Sequence, residues 1–289
     1  HESGMWSDKG LPRTDPAAVQ LPPYLPDTLE CRRALARQYD HIADNDARVG
    51  ELLQQLDEDG LTDTTAVFIW SDHGEGLPRS KRWPYDTGIC VPLIVRWPGQ
   101  IAPGSVCHDL ISTLDLGPTV LSMAGLTVPC HMQGQAFLGP HRAEPRQYIY
   151  ATRDRYDEAY DMIRAVRDAR FKYIRNYQPE LPRLLWVPYR NNHPIMAELY
   201  RMQAEGTLNE AQQSMFALSR PAEELYDTHK DPFETNNVAG DAAYQRELMR
   251  LRAALDEWRE RYDRYGDMDE AMMVHTWHVG GSQPRTAPV

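Results

Sequence analysis

Val67-Phe68-Ile69-Trp70-Ser71-Asp72-His73-Gly74-Glu75 is the stretch on which the reading of this chain turns. Four apolar residues in a row, bounded by polar turn formers, predict a strand buried on both faces. The run stops at Asp72 and His73, two side chains able to ligate a metal ion, and Gly74 follows where the backbone can turn sharply. In open α/β sheets, ligands collect at the carboxyl ends of strands, and these polar residues stand at such an end. Lys81 lies nine residues beyond Asp72, across a loop containing Gly, Pro and Arg. A carboxylate and an imidazole able to hold a cation, followed by a flexible ammonium, suit an anionic group such as a phosphate or sulfate.

Working outward, residues 27–59 place Leu35, Tyr39, Ile42, Val49, Leu53 and Leu56 on one helical face, with Gly60 at the C-terminal cap. Asp46 falls on that stripe, where a buried carboxylate needs a partner. A second strand is predicted over 91–97, and Asp115 is placed to cap a short helix over 116–124. Residues 129–145, rich in Gly, Pro and His, read as a long connection. Short strands follow at 148–150, 163–166 and 171–174, the last two forming a hairpin through Asp168-Ala169. Helices are predicted over 195–205, 210–218 and 242–262, and the tail after Tyr265 shows no periodicity. The pattern is α/β: a mixed central sheet flanked by helices in residues 1–145, then a smaller subdomain, an antiparallel sheet plus helix, in 146–289.

Charge excludes one class of function. A formal net charge of -11 over 289 residues argues against a nucleic-acid partner, which calls for a basic face. The same field repels polyanions, so anion capture has to rely on local cations, and Arg79-Ser80-Lys81-Arg82 supplies three beside the candidate site. Cys31, Cys90, Cys107 and Cys130 show no metal-binding spacing and are expected to be buried free thiols. No apolar run is long enough to cross a membrane, and no signal peptide is visible in a chain that opens at His1.

Residues 71–99, SDHGEGLPRSKRWPYDTGICVPLIVRWPG, closely resemble the sulfatase family of the alkaline phosphatase superfamily. The resemblance continues through 220–227 (RPAEELYD) and 231–237 (DPFETNN), which look like that family's C-terminal signature, and is strongest towards bacterial relatives of heparan N-sulfatase. It implies an alkaline phosphatase-like fold whose N-terminal part is missing here. The implied activity is metal-dependent hydrolysis of a sulfate ester or sulfamate on a small anionic substrate, a sulfated sugar. By the same resemblance Asp72 and His73 are metal ligands for a divalent ion, calcium first and magnesium second. Lys81 is the sulfate-binding and catalytic lysine, and His1 an active-site histidine. Arg153 and Asp154 match a segment near the active-site mouth and are candidate substrate contacts. Cys90 takes a position where relatives often carry Arg and is expected to be a small buried strand residue.

The departures concern the nucleophile. The family uses a formylglycine made from Cys or Ser in a Cys/Ser-x-Pro-x-Arg segment, and this chain contains none: the segments starting at Cys90 and Ser219 reach Ile94 and Glu223 at the fifth position. The expectation is a C-terminal part of a sulfatase that is inactive alone, with the formylglycine upstream. A phosphodiesterase or phosphonate monoester hydrolase of the same superfamily, and a noncatalytic sulfatase-like binding protein, stay open as alternatives. The family is usually periplasmic or secreted; neither compartment nor oligomeric state is written in these residues.

Overall fold

Thr28 opens the longest element. Its hydroxyl accepts the Cys31 N–H at 3.3 Å, and helix α1 runs Leu29–Glu58. Gly60, at φ +68°, makes the left-handed turn that ends it. The computed structural model describes residues 12–155, 159–263 and 265–277. Within it, α1 is buried only over its first turns, at Cys31, Ala34, Leu35, Ala36 and Gln38. Further along, Ile42 and Leu52 are more than half exposed. Asp46 is exposed as well, so its carboxylate keeps its hydration and needs no partner, contrary to expectation.

Strand β1, Val67–Trp70, pairs antiparallel with β2, Leu93–Arg96, Trp70 standing opposite Leu93. Among the described residues these two strands form a sheet by themselves. Expected to be buried on both faces, the ribbon instead leaves Trp70 50% and Ile94 59% exposed. A cleft separates β1 from α1, lined by Val49, Leu52, Leu53 and Leu56 of the helix and by Val67, Phe68, Ile69 and Trp70 of the strand. Between the strands come α2, Asp86–Ile89, and then Cys90, which is exposed at the helix end rather than buried in a strand. Cys107 and Cys130 are also exposed, and only Cys31 is the buried thiol expected of all four. Helix α3 spans Leu116–Met123. Asp115 does not cap it through its side chain; its carboxylate accepts the N–H groups of Ser112 at 2.9 Å and Gln135 at 2.8 Å, pinning the long connection.

The second sheet is antiparallel with order β3-β4-β5-β6: Ile149–Arg153, Ile163–Arg167, Phe171–Asn176 and Glu223–Asp227. The predicted hairpin β4–β5 turns on Asp168, whose carboxylate accepts the N–H groups of Arg170 and Phe171 at 2.7 and 2.6 Å. The stretch 220–227 contributes the fourth strand. Alternation of period two then decides what covers each face. Val166, Phe171, Tyr173 and Leu225 face helix α7, Gln245–Tyr262, which buries Leu248, Leu251 and Leu255 against them. At about 1.5–3 kcal/mol per fully buried large apolar side chain, those three leucines anchor α7. Ile163, Ala165, Ile174 and Tyr226 face the other way, onto Trp83 and Tyr85 of the loop that follows β1.

Three further helices precede α7: α4, Pro188–Asn191, α5, Pro194–Glu205, and α6, Glu210–Ser214. Ile195, Met196, Leu199 and Met215 pack against Cys31 and Leu35 of α1 and Leu77 of the same loop. The tail, expected to be irregular, forms α8, Glu270–Trp277, started by Asp269 accepting the Ala271 N–H at 2.9 Å, and none of its residues is buried. No described helix is long and apolar enough to cross a membrane. The fold therefore clamps residues 71–90 between the α1–α5 core and the four-stranded sheet.

Candidate functional site

Two glycines close the loop on itself. Gly74 N–H donates to the Gly88 carbonyl at 2.9 Å, and Lys81 N–H to the Glu75 carbonyl at 2.9 Å. A Cβ on Gly74 would lie 1.9 Å from the Thr87 oxygen, and one on Gly88 2.3 Å from the oxygens of Ser80 and Trp83. Both positions thus require the missing side chain so that backbone can pack on backbone. Burial pushes the Glu75 carboxyl above its usual range, with the side chain of Gln38 opposing.

At the mouth of this loop Asp72 and His73 converge. His73 Nδ1–H donates to the Gly74 carbonyl at 2.7 Å; a carbonyl can only accept, so Nδ1 carries the proton in this contact and Nε2 is the nitrogen that could ligate a metal. That Nε2 lies 3.6 Å from Asp72 Oδ2, while Asp72 Oδ1 accepts the His73 backbone N–H at 3.1 Å. The tethered imidazole and the 85% exposed carboxylate therefore present two donors to one point. Among the described residues no group of three or more His, Cys, Asp or Glu side chains gathers to hold a metal ion. The donor set fits two ligands of a divalent ion, fewer than the six to eight oxygens, in round numbers, that calcium takes.

The three loop cations separate. Arg79, at φ +68°, turns inward: it is buried, donates to the carbonyls of Phe233 at 2.9 Å and Glu234 at 2.5 Å, and stacks 3.8 Å from the Tyr85 ring centroid. Lys81 and Arg82 turn outward into a cleft completed by Trp83, Val187, Tyr189 and Arg190. Lys81 Nζ stands 5.1 Å and Arg82 Cζ 4.4 Å from the Tyr189 ring centroid. Tyr189 and Arg190 went unnoticed in the sequence, where nothing in their spacing ties the segment around α4 to Lys81.

Below the loop, Tyr85 donates to Glu224 Oε2 at 3.0 Å, and Tyr226 to the same oxygen at 2.5 Å. Burial opposes ionisation of Glu224, but Arg183 and the hydrogen bonds from Tyr226, Asn176 and Tyr85 hold its carboxyl below the usual range. Lys172, fully buried, pairs with Asp86 at 2.5 Å and Glu234 at 2.8 Å. Against the cost of burial, Lys172 and Arg167 keep Asp86 below its ordinary value. Burial drives Glu234 the other way, above its own.

Arg153 and Asp154 lie behind the cleft. Arg153 is buried, pairs with Asp161 at 3.3 Å and supports the Trp83 ring from 4.0 Å. Asp154 accepts Arg164 at 2.7 and 3.1 Å. His1 lies outside the described residues.

With this geometry in place, comparison with known proteins gives a consistent family. The family model "Sulfatase" matches residues 7–126, and "N-sulphoglucosamine sulphohydrolase, C-terminal" matches 74–186. An ulvan-active sulfatase of Formosa agariphila is 44% identical over 268 residues, covering 92% of this chain and 45% of the relative. The chain spans about half the length of the curated relatives it matches. A solved protein in complex with its substrate D-glucosamine-2-N,6-O-disulfate aligns with TM-score 0.56 and 24% identity over 84% of this chain and 43% of the other. The phosphonate monoester hydrolase of Agrobacterium radiobacter aligns with TM-score 0.56 and 25% identity over 81% and 42%.

Proposed function

We propose, since this chain belongs to the sulfatase family, that the loop 71–90 is the sulfate-binding part of a site that hydrolyses a sulfate ester or sulfamate on a sugar. The observation that carries this reading is the placement of Asp72, the tethered His73 and Lys81 on one loop whose ends are locked by the Gly74–Gly88 contact. A divalent ion, calcium or magnesium, when bound at Asp72 and His73 would supply Lewis-acid polarisation of the sulfate. The Lys81 ammonium would neutralise a sulfate oxygen and stand near the leaving atom, a compact charge on a flexible stem. Residues 1–289 contain no Cys/Ser-x-Pro-x-Arg segment. The groups on this chain therefore bind and orient, and the attacking formylglycine hydrate expected of the family has no counterpart among them. Export to the periplasm or beyond belongs to the same reading.

The likeness to the phosphonate monoester hydrolase favours a second reading, in which the transferred group is a phosphonate. The two separate on ligands. N-sulfoglucosamine and phenylphosphonate are titrated against the chain and its Lys81→Ala variant by heteronuclear NMR. The source gene, expressed at its native length, is assayed for sulfate release from sulfated saccharides. Lys81→Ala should weaken N-sulfoglucosamine about ten- to a hundredfold, the loss of one charge-assisted contact. Preference for phenylphosphonate with no sulfate release would select the second reading. No Lys81-dependent binding of either ligand would end both.

A further inference from the structure

We infer that Glu234 is a positioning residue for anion binding: it holds the chain on both sides of Lys81 and so fixes where that ammonium meets a sulfate, a role that rests on Lys81 binding one. Its polar atoms face three ways. The Glu234 carbonyl accepts the Arg79 guanidinium at 2.5 Å, and one carboxylate oxygen accepts the Asp86 N–H at 2.6 Å. The other oxygen pairs with Lys172 of β5 at 2.8 Å, which ties both attachments to the four-stranded sheet. Lys81 lies between the attachment points, after Arg79 and before Asp86. The segment is also closed across its base, where the Thr87 hydroxyl donates to the Arg79 carbonyl at 3.3 Å.

The attachment at Arg79 is rigid. Its guanidinium spans the carbonyls of Phe233 and Glu234 as a planar fork, and its Cζ lies 3.8 Å from the Tyr85 ring centroid and 4.8 Å from that of Tyr24. Backbone conformation points the same way. Among the described residues, those with a side chain at positive φ are Arg79, Arg82 and Glu234, all in this segment or in the residue that holds it. A left-handed backbone is costly for such residues; it persists where surrounding contacts over-determine it, and it clusters at ligand-binding positions. Glu234 is also fully buried, and a buried ion pair is often no more stable than apolar side chains of the same volume, so stability alone does not account for it.

N-sulfoglucosamine titrations by NMR on the 289-residue chain test this, at a temperature where urea unfolding shows each variant to be folded. Glu234→Ala should weaken binding about tenfold, the effect of displacing one charge-assisted contact. Glu234→Gln keeps an oxygen that can accept the Asp86 N–H and should recover most of that loss. In a double-mutant cycle, the protein carrying both Lys81→Ala and Glu234→Ala should bind no more weakly than Lys81→Ala alone, because Glu234 acts through Lys81. A purely structural Glu234 would move the urea midpoint and leave the affinity of the folded protein unchanged. That result, or additive losses in the cycle, overturns the proposal. If Glu234→Ala does not fold, Arg79→Lys takes its place in the cycle, since one ammonium cannot span two carbonyls as the fork does, and the same two results decide. Native-like binding by Lys81→Ala overturns instead the reading on which the proposal rests.

Discussion

His193 should make this fold acid-sensitive by a calculable amount. It caps α5: its Nδ1 accepts the Ile195 N–H at 3.0 Å, and its own backbone N–H donates to the Arg190 carbonyl at 2.9 Å. The ring is buried, and burial pushes its pKa from the usual 6.5 down to about 3. The folded imidazole therefore stays neutral while its unfolded counterpart takes up a proton. Between those two values the unfolded state binds one more proton, so stability falls as pH falls, at about 1.4 kcal/mol per unit once well below 6.5. From pH 7 to pH 5 this group alone removes about 2 kcal/mol, a large share of a typical domain's margin. His193→Asn keeps an acceptor for the Ile195 N–H, Asn being a good N-cap, but does not titrate. Urea unfolding followed by tryptophan fluorescence at pH 7 and pH 5 would compare the two proteins, each against itself. The native chain should lose about 2 kcal/mol more than the variant over that interval. Equal losses would refute the reasoning, because the buried imidazole would then be protonating in the folded state without penalty.

Two substitutions probe the site loop. Gly74→Ala places a methyl 1.9 Å from the Thr87 oxygen, so the loop must open; a loss of about 1–3 kcal/mol is expected in the same urea assay, together with loss of N-sulfoglucosamine binding. Wild-type stability in that variant would mean the Gly74–Gly88 contact is not a constraint. Lys172→Met leaves Asp86 and Glu234 without their shared buried cation and should cost about 3–5 kcal/mol at pH 7. That loss should shrink as pH is lowered far enough to protonate the two carboxylates, and a pH-independent cost would assign it to packing instead.

The elements were largely legible because their signals are local. An apolar run ending in Asp72-His73, an Asp168 turn between two short strands and a leucine stripe over 248–255 each announce themselves within a dozen residues. What the sequence hid depends on distant partners. Whether β1 is covered on one face or two is decided by neighbouring strands and layers, not by its four residues. Among Arg79, Lys81 and Arg82, the one that turns inward is chosen by carbonyls at 233 and 234, far along the chain. Cys90 was expected in a strand because a Val-Pro-Leu-Ile-Val run follows it, yet the short helix α2 extends to Ile89 and the strand waits until Leu93. Of the candidate site, the order of Asp72, His73 and Lys81 along one loop was legible from their spacing. Tyr189 and Arg190 were not, since no spacing rule links α4 to a loop that is its neighbour only in space.

The two stretches of family resemblance, distant in sequence, form one physical object. The turn 231–237 is closed internally: the Asp231 carboxylate accepts the Asn236 N–H at 2.7 Å. It is tied to β6 as Asn237 Oδ1 accepts the Leu225 N–H at 2.9 Å. Glu234, fully buried at φ +55°, then reaches the site loop through its carbonyl and one carboxylate oxygen, and β5 through the other. Its carbonyl takes Arg79 at 2.5 Å, and its carboxylate takes the Asp86 N–H at 2.6 Å and Lys172 at 2.8 Å. Left-handed residues cost roughly 1–3 kcal/mol each, and Arg79 and Glu234 both carry that strain at the point where they meet. Such strain persists only where surrounding contacts over-determine it, as the buried guanidinium, ammonium and two carboxylates do here. Arg79 fixes the chain two residues before Lys81, and Asp86 fixes it five residues after. The turn therefore sets where Lys81 and Arg82 emerge into the cleft by fixing the loop on either side of them.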